Sequence, residues 1–66
     1  MAKKLREVRR ALRAAGWSRV RQSGSHEIWA SADGSRVVTV AGKDSDTVPV
    51  GTLAAMRRTT GLDELR

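Results

Sequence analysis

The 66-residue chain contains no cysteine, which excludes disulfide bonds, a thiol nucleophile and zinc–thiolate sites. It also has no apolar run near the ~20 residues that span a membrane. The basic start at Lys3 and Lys4 is not followed by the apolar region of a signal peptide. We therefore expect a cytoplasmic protein without membrane association. A chain this short forms one small domain over residues 1–66, with a thin core and any chemistry on its surface.

Basic residues outnumber acidic ones by 13 to 7, which gives a formal net charge of +6. This balance favours a polyanion or an acidic protein as the partner. The alternative is that the charge only keeps the surface soluble.

Residues 3–15 are predicted to form a helix, because apolar residues recur at spacings of three, four and three. They share one face of the helix: Leu5, Val8, Leu12 and Ala15. Gly16 is expected to end the helix, with Trp17 folding back onto Leu12.

Five basic residues occupy a separate arc of about 120° on the same predicted helix, at ~100° per residue. They are Lys3, Arg6, Arg9, Arg10 and Arg13. We expect this arc to contact phosphate groups; the alternative is an ordinary solvated helix face.

Three strands are predicted after the helix, at residues 17–22, 26–31 and 36–40. The first two are separated by the turn residues Ser23, Gly24 and Ser25, and the last two by an Asp-Gly turn. Alternation along the middle strand places His26 and Ile28 on one face and Glu27 and Trp29 on the other. Trp29 is expected to pack in the core, with stacking on a base as the alternative.

A polar loop over residues 41–47 then precedes a second helix. Gly51 or Thr52 is the predicted N-cap, Leu53 and Met56 are expected to face inward, and Gly61 ends the helix. The predicted fold class is α+β, in the order α-β-β-β-α. The economical packing is a three-stranded antiparallel sheet with both helices on one face, which leaves the other face in contact with water.

His26 is the only histidine, and histidine is the side chain that most readily exchanges a proton near neutral pH. It follows a Gly-Ser turn in a basic chain, where a phosphate would be attracted. Without further context, a lone histidine at a strand start is an ordinary surface residue.

Several segments in fixed order resemble the HicA family of toxins, the messenger-RNA interferases of bacterial toxin–antitoxin pairs. The resemblance covers residues 3–62 and rests on Gly16-Trp17, residues 21–26, Asp33-Gly34, residues 50–53 and residues 60–62. Gly-Ser-His alone would carry no weight; the ordered set is more specific.

The resemblance implies a fold like that of double-stranded-RNA-binding domains, and ribosome-independent cleavage of messenger RNA with His26 as the catalytic residue. It also implies a HicB-type antitoxin that covers the active face in a hetero-oligomeric complex and represses the operon. One departure is visible. Many members carry a second histidine after the third strand, where this chain has Ala41-Gly42-Lys43.

RNA supplies its own nucleophile, the 2′-hydroxyl, so cleavage needs a proton acceptor and cations that stabilise the phosphorane. The sequence has no cluster of ligands at metal-binding spacing, so we expect His26 to act as general base or acid without a metal or other cofactor. The backbone at Gly24 and Ser25 can approach a phosphate, or simply form the turn. The candidate electrostatic helpers are Arg21, Arg36 and Lys43; the acid for the leaving oxygen is not identified.

Two other functions fit the same sequence. One is a non-catalytic RNA-binding module, which would bind RNA without cleaving it. The other is a protein-interaction module, which would show no RNA affinity even at low salt, where phosphate-driven binding is strongest.

Overall fold

A computed structural model describes residues 3–65; Met1, Ala2 and Arg66 of the expected single domain lie outside the described residues. The elements in chain order are β1 (Lys3–Lys4), α1 (Leu5–Ala14), β2 (Ser18–Ser23), β3 (His26–Ala30), β4 (Val37–Ala41), β5 (Thr47–Val48) and α2 (Val50–Thr60). Strands β2, β3 and β4 form an antiparallel sheet in that order. The predicted α-β-β-β-α layout is confirmed, with one addition: β1 and β5 pair as a separate two-stranded ribbon.

Helix α1 is shorter than the predicted 3–15, because Lys3 and Lys4 pair with β5 instead of continuing the helix. Glu7 fixes the start, since its Oε2 accepts the backbone N–H of Lys4 at 2.9 Å. Two loop carbonyls accept the next free N–H groups, from Leu5 to Asp46 O at 2.9 Å and from Arg6 to Asp44 O at 3.2 Å. The 42–46 loop therefore satisfies helix donors that would otherwise lack partners.

The C-terminal end of α1 follows the prediction. The Trp17 N–H donates to Leu12 O at 2.9 Å and the Gly16 N–H donates to Arg13 O at 3.0 Å, the two bonds of a Schellman ending. Trp17 is buried, as this ending requires. Ala15 is exposed, so its predicted place on the buried face is wrong; the helix has already ended there.

The sheet has an inner face against the helices and an outer face in contact with solvent. Trp29, Val38 and Val40 are buried on the inner face and join the core with apolar residues of both helices. On the outer face His26 and Val37 are exposed. Both helices therefore cover the same side of the sheet, as predicted.

Helix α2 begins earlier than predicted. Its N-cap is Pro49, so Gly51 and Thr52 lie inside the first turn and neither is the cap. Proline tolerates this position because its fixed φ suits a helix start. Leu53 and Met56 are buried as expected, and the helix ends at Gly61.

The predicted polar loop also needs correction, because Ala41 belongs to β4 and Thr47 and Val48 form β5. Such a two-residue strand exists only through its pairing with β1. Among residues 3–65, neither helix has the length and apolar character to cross a bilayer.

Candidate nucleic-acid interface

His26 is the first residue of β3 and lies on the outer face, between Ser23 of β2 and Ala41 of β4. It is exposed, and its ring makes no hydrogen bond or ion pair with another residue in the described range 3–65. The neighbouring Glu27 is buried and points to the inner face, as strand alternation predicted. The imidazole is therefore open to a large ligand.

The turn before His26 is one residue shorter than predicted. It consists of Gly24 and Ser25, because Ser23 belongs to β2 and pairs directly with His26. Gly24 has a φ of +59°, which an L side chain rarely adopts, and a Cβ there would meet nothing within 4 Å. The backbone at this turn is accordingly open to solvent. The Ser25 carbonyl is engaged: it accepts the Gly42 N–H at 3.3 Å.

The three candidate helpers occupy different places. Arg21 pairs with Ile28 and is exposed on the outer face, one diagonal step from His26. Diagonal neighbours across two strands are typically ~7–8 Å apart, within reach of a long side chain. Lys43 follows Gly42 and so lies at the same end of the sheet. Arg36 lies at the opposite end of β4, roughly 16 Å away at ~3.3 Å per residue.

Arg36 has a different neighbour. A Cβ on Gly61 would lie 3.1 Å from its Nη1 atom, so the guanidinium sits at the C-terminal end of α2. A cation there interacts favourably with the helix dipole. The structure therefore does not bring Arg36 together with His26.

Arg9 differs most from the sequence expectation. Helix periodicity predicts it on the basic arc of α1, but its side chain is buried. Its Nε donates to Glu27 Oε1 at 3.2 Å and its Nη2 donates to Glu27 Oε2 at 2.9 Å. Its Nη1 binds the Asp44 carboxylate, and Nη2 also donates to Gly42 O at 2.7 Å. The guanidinium is thus committed to three partners.

The sequence contained a weak signal for this arrangement. At ~100° per residue, Arg9 projects only about 40° from Leu5, at the border of the apolar stripe. Glu27 alternates in register with Trp29, so it had to share the inner face. The predicted place of Lys3 on the basic helix arc is also wrong, because Lys3 belongs to β1 and precedes the helix.

Glu27 remains ionised although it is buried. Burial alone raises its pKa, but the hydrogen bonds from Arg9 and Trp29, together with the Arg9 charge, outweigh burial and hold the pKa below its ordinary 4.5. The Trp29 indole Nε1 donates to Glu27 Oε1 at 2.9 Å. Trp29 is only 1% exposed, so core packing is correct and this ring is not available to stack on a base.

Gly42 connects the His26 corner to Arg9. Its N–H donates to the carbonyl of Ser25, and its own carbonyl accepts from Arg9. One residue thus joins the turn before the imidazole to the guanidinium on α1. His26 lies on the outer side of the sheet and α1 covers the inner side. The turn before His26 and the Arg9 side chain of α1 are nevertheless linked through Gly42, at one end of the molecule.

A polar cleft of about 290 Å³ lies along α1 at that end. Its lining is almost entirely basic: Arg6, Arg9, Arg10 and Arg13, with Asp44 as the one acid. Arg6, Arg10 and Arg13 are exposed, and the Arg13 guanidinium lies 5.2 Å from the centre of the Trp29 ring. A cation in that position is attracted to the ring, which orients Arg13 beside the cleft.

A larger cleft of about 410 Å³ lies between β4, β5 and the start of α2. Its lining includes Leu5, Met56 and several threonines but no basic side chain and no histidine. Its acid, Asp46, already accepts the Lys43 N–H at 2.8 Å. The smaller arginine-lined cleft therefore fits a nucleic acid better. Within residues 3–65, no three histidine, aspartate or glutamate side chains are grouped to hold a metal ion.

The chain matches a known protein family over most of its length. The family model described as the HicA toxin of bacterial toxin–antitoxin matches residues 5–62 of this chain. The match includes α1, the whole three-stranded sheet and α2, and so contains both the His26 corner and the arginine-lined cleft. Searches of curated proteins and of solved structures find no significant match.

Proposed function

Because the chain belongs to the HicA toxin family of bacterial toxin–antitoxin systems, we propose that it is an endoribonuclease that cleaves messenger RNA with His26. The observation that carries this proposal is the placement of an exposed, unengaged imidazole at the same end of the molecule as a cleft lined by arginines. The family match supports a toxin. The geometry adds an exposed proton-transfer group on the outer face of the sheet, at the end of the molecule where Gly42 links its turn to the arginine-lined cleft.

The proposed reaction is a transesterification. The His26 imidazole accepts the proton of a 2′-hydroxyl, and that oxygen attacks the adjacent phosphorus. The bond from phosphorus to the 5′-oxygen breaks, leaving a 2′,3′-cyclic phosphate. We assign the proton that completes the 5′-hydroxyl to water. The hydroxide that this leaves takes the proton from the His26 imidazolium, which restores the neutral base. A positioned base of this kind contributes about 10²–10⁴-fold to the rate.

The basic side chains have separate roles in this proposal. Arg21, on the same sheet face as His26, and Lys43, at the same end, stabilise charge that develops on the phosphate. The open backbone at Gly24 and Ser25 allows the strand to approach closely. Arg6, Arg10 and Arg13 contact flanking phosphates in the cleft. Arg36 has no role in RNA binding in this proposal, because its guanidinium lies at the C-terminal end of α2.

The toxin family implies a protein that restrains the activity, and we assign this role to a HicB-type antitoxin acting in the cytoplasm. The outer sheet face supports this assignment, because Val37 is 57% exposed and Ile28 and Ala30 are only half-buried there. An antitoxin that covers this apolar face would also cover His26 and block access of RNA.

The deciding experiment compares His26→Gln with the wild-type protein on a synthetic messenger RNA, with EDTA present. We expect the variant to lose at least about 100-fold in cleavage rate, while keeping its circular dichroism spectrum and RNA affinity. Ser18→Ala is the matched control, since Ser18 is exposed at the far end of the sheet. Cleavage by His26→Gln at the wild-type rate would contradict the assignment, and cleavage that EDTA abolishes would contradict the metal-independent reaction.

A non-catalytic RNA-binding module is the second candidate, because the arginine-lined cleft does not depend on His26. Wild-type protein that binds RNA in a salt-dependent way without cleaving it would favour that function. Absence of binding at low salt would favour a protein-interaction module instead.

A further inference from the structure

The arginine-lined cleft already holds one anion, the side chain of Asp44. The Asp44 carboxylate forms an ion pair with Arg9 Nη1, and both residues line the cleft. The two side chains differ sharply in exposure: 8% for Arg9 and 69% for Asp44. The carboxylate thus lies at the solvent side of a buried cation that is aimed into the cleft.

The backbone around Asp44 is fixed, whereas its side chain is held by this one contact. The Asp44 carbonyl accepts the Arg6 N–H at 3.2 Å, and Arg9 holds Gly42 O two residues earlier. The loop itself is therefore anchored on α1. Rotation of the exposed carboxylate away from Arg9 requires no loop movement, and Arg9 would keep its bidentate pair with Glu27.

We propose that this cleft is a phosphate-binding site for the RNA backbone, and that Asp44 is an internal competitor occupying the guanidinium edge that the phosphate would take. A phosphate suits the cleft because guanidinium groups bind it through paired, charge-assisted hydrogen bonds. Arg6, Arg10 and Arg13 supply exposed cations around the same volume. The inference rests on the proposed RNA binding and deepens it, since it names the site and what opposes occupancy.

Occupancy of the cleft bears on His26 through Arg9 and Gly42. The phosphate would bind the same guanidinium that holds the Gly42 carbonyl, and the Gly42 N–H is bonded to Ser25, next to His26. A bound strand is therefore fixed at the end of the sheet where the imidazole lies.

The experiment measures RNA affinity of Asp44→Asn, which removes the charge but keeps the shape. The control is Glu64→Gln, which makes the same charge change at an exposed residue. Glu64 lines a neighbouring cleft that shares Arg10 with the arginine-lined cleft but contains neither Arg9 nor Asp44, so this variant does not free the Arg9 guanidinium. We expect Asp44→Asn to bind RNA about 3- to 10-fold more tightly at low salt, against less than about twofold for Glu64→Gln. The difference should shrink as salt rises, because exposed charges are screened. Equal effects of the two variants, or weaker binding by Asp44→Asn, would overturn the proposal.

A second arm uses inorganic phosphate, followed by the NMR signals of the arginine Nε–H groups and the Gly42 amide. Asp44→Asn should shift the Arg9 signal at lower phosphate concentration than wild type; an unchanged Arg9 signal would overturn the site. Asp44→Ser serves as a second variant if the asparagine protein unfolds.

The two arms separate the inference from the proposed function. If RNA fails to bind but phosphate still shifts the Arg9 signal at a lower concentration in Asp44→Asn than in wild type, the RNA function is wrong and the phosphate site is supported. If RNA binds but Asp44→Asn changes nothing, the function stands and the inference fails. If poly-glutamate, but not RNA, gains affinity in Asp44→Asn, the cleft is a site for an acidic protein and the proposal is wrong.

Discussion

Arg9 on α1 and Glu27 on β3 form a buried bidentate ion pair, with each side chain only 8% exposed. The pair is satisfied on both sides: Glu27 also accepts from Trp29, and Arg9 also binds Asp44 and Gly42. Among residues 3–65, no buried side-chain nitrogen or oxygen lacks a hydrogen-bond partner. A satisfied network of this kind fixes one arrangement of helix, sheet and loop.

Removal of Arg9 should destabilise the protein strongly. Arg9→Met leaves the Glu27 carboxylate buried without its main partner, and breaking such a pair costs about 3–5 kcal/mol. Urea unfolding followed by circular dichroism measures the loss. Arg10→Met is the control, since Arg10 is exposed on the same helix and should change stability by less than about 0.5 kcal/mol.

The double variant Arg9→Met with Glu27→Gln should recover part of that stability, because the neutral amide removes the uncompensated charge and can still accept from Trp29. A double variant no more stable than Arg9→Met would show that the isolated carboxylate is not the cause.

Stability should fall in acid through Glu27. Its pKa is lowered in the folded protein, so its contribution is present above the unfolded value, near 4.5, and is lost as the pH falls through the lowered folded value. Thermal unfolding from pH 7 to pH 2 tests this. The difference in unfolding temperature between wild type and Glu27→Gln should be largest at pH 7 and should become smaller below pH 4.5. A difference in unfolding temperature that does not change with pH would contradict the prediction.

Asp33 should contribute in a lower pH window. The Ser35 N–H, together with the hydroxyls of Ser31 and Ser35, lowers its pKa from 3.8 to about 2. Its stabilisation of the β3–β4 turn is therefore present above about 3.8 and is lost as the pH falls towards about 2. In Asp33→Asn, the unfolding temperature should no longer depend on pH through Asp33 between about 3.8 and about 2. Glu27→Gln should keep this part of the pH dependence, and thermal unfolding of both variants across that range measures it.

The salt dependence of RNA binding should identify the phosphate contacts. Each phosphate that is neutralised on a single strand contributes about 0.7 to the slope of log affinity against log salt. Arg6→Gln and Arg10→Gln should each reduce that slope by about this amount, measured by fluorescence anisotropy. Arg58 is exposed on α2, and Arg58→Gln should leave the slope unchanged. An equal reduction of the slope in Arg58→Gln would mean that RNA affinity depends only on the net charge of the protein and not on the cleft.

Gly42→Ala should disrupt the His26 end of the molecule. Gly42 has a φ of +119°, and a Cβ there would lie 2.6 Å from Asp46 Oδ2 and 2.8 Å from Leu5 Cδ1. Gly34→Ala is the matched control, because Gly34 also has a positive φ but nothing lies within 4 Å of its Cβ position. We expect Gly42→Ala to be at least about 1 kcal/mol less stable than Gly34→Ala. Equal stability of the two variants would show that the 42–46 loop rearranges around the added methyl group without loss of stability.

The local features were predictable because each depends on neighbours a few residues apart. Alternation put His26 and Trp29 on opposite faces of β3, and a glycine followed by tryptophan fixed the end of α1. The start of α2 was not predictable in this way. Gly51 and Thr52 carry the usual N-cap chemistry, but the chain turns into the helix at Pro49, where β5 ends its pairing with β1.

The sequence by itself determined the α-β-β-β-α order of the main elements, the turns within the three-stranded sheet and the face of β3 that carries His26, but not the β1–β5 ribbon. Only the tertiary structure decided that Arg9 is a buried partner of Glu27 and Asp44 and not an exposed cation. These partners are 18 and 35 residues away along the chain. Helix periodicity places a side chain on a face, but whether an arginine at the border of that face remains in water depends on which carboxylates the folded sheet and loop bring beside it.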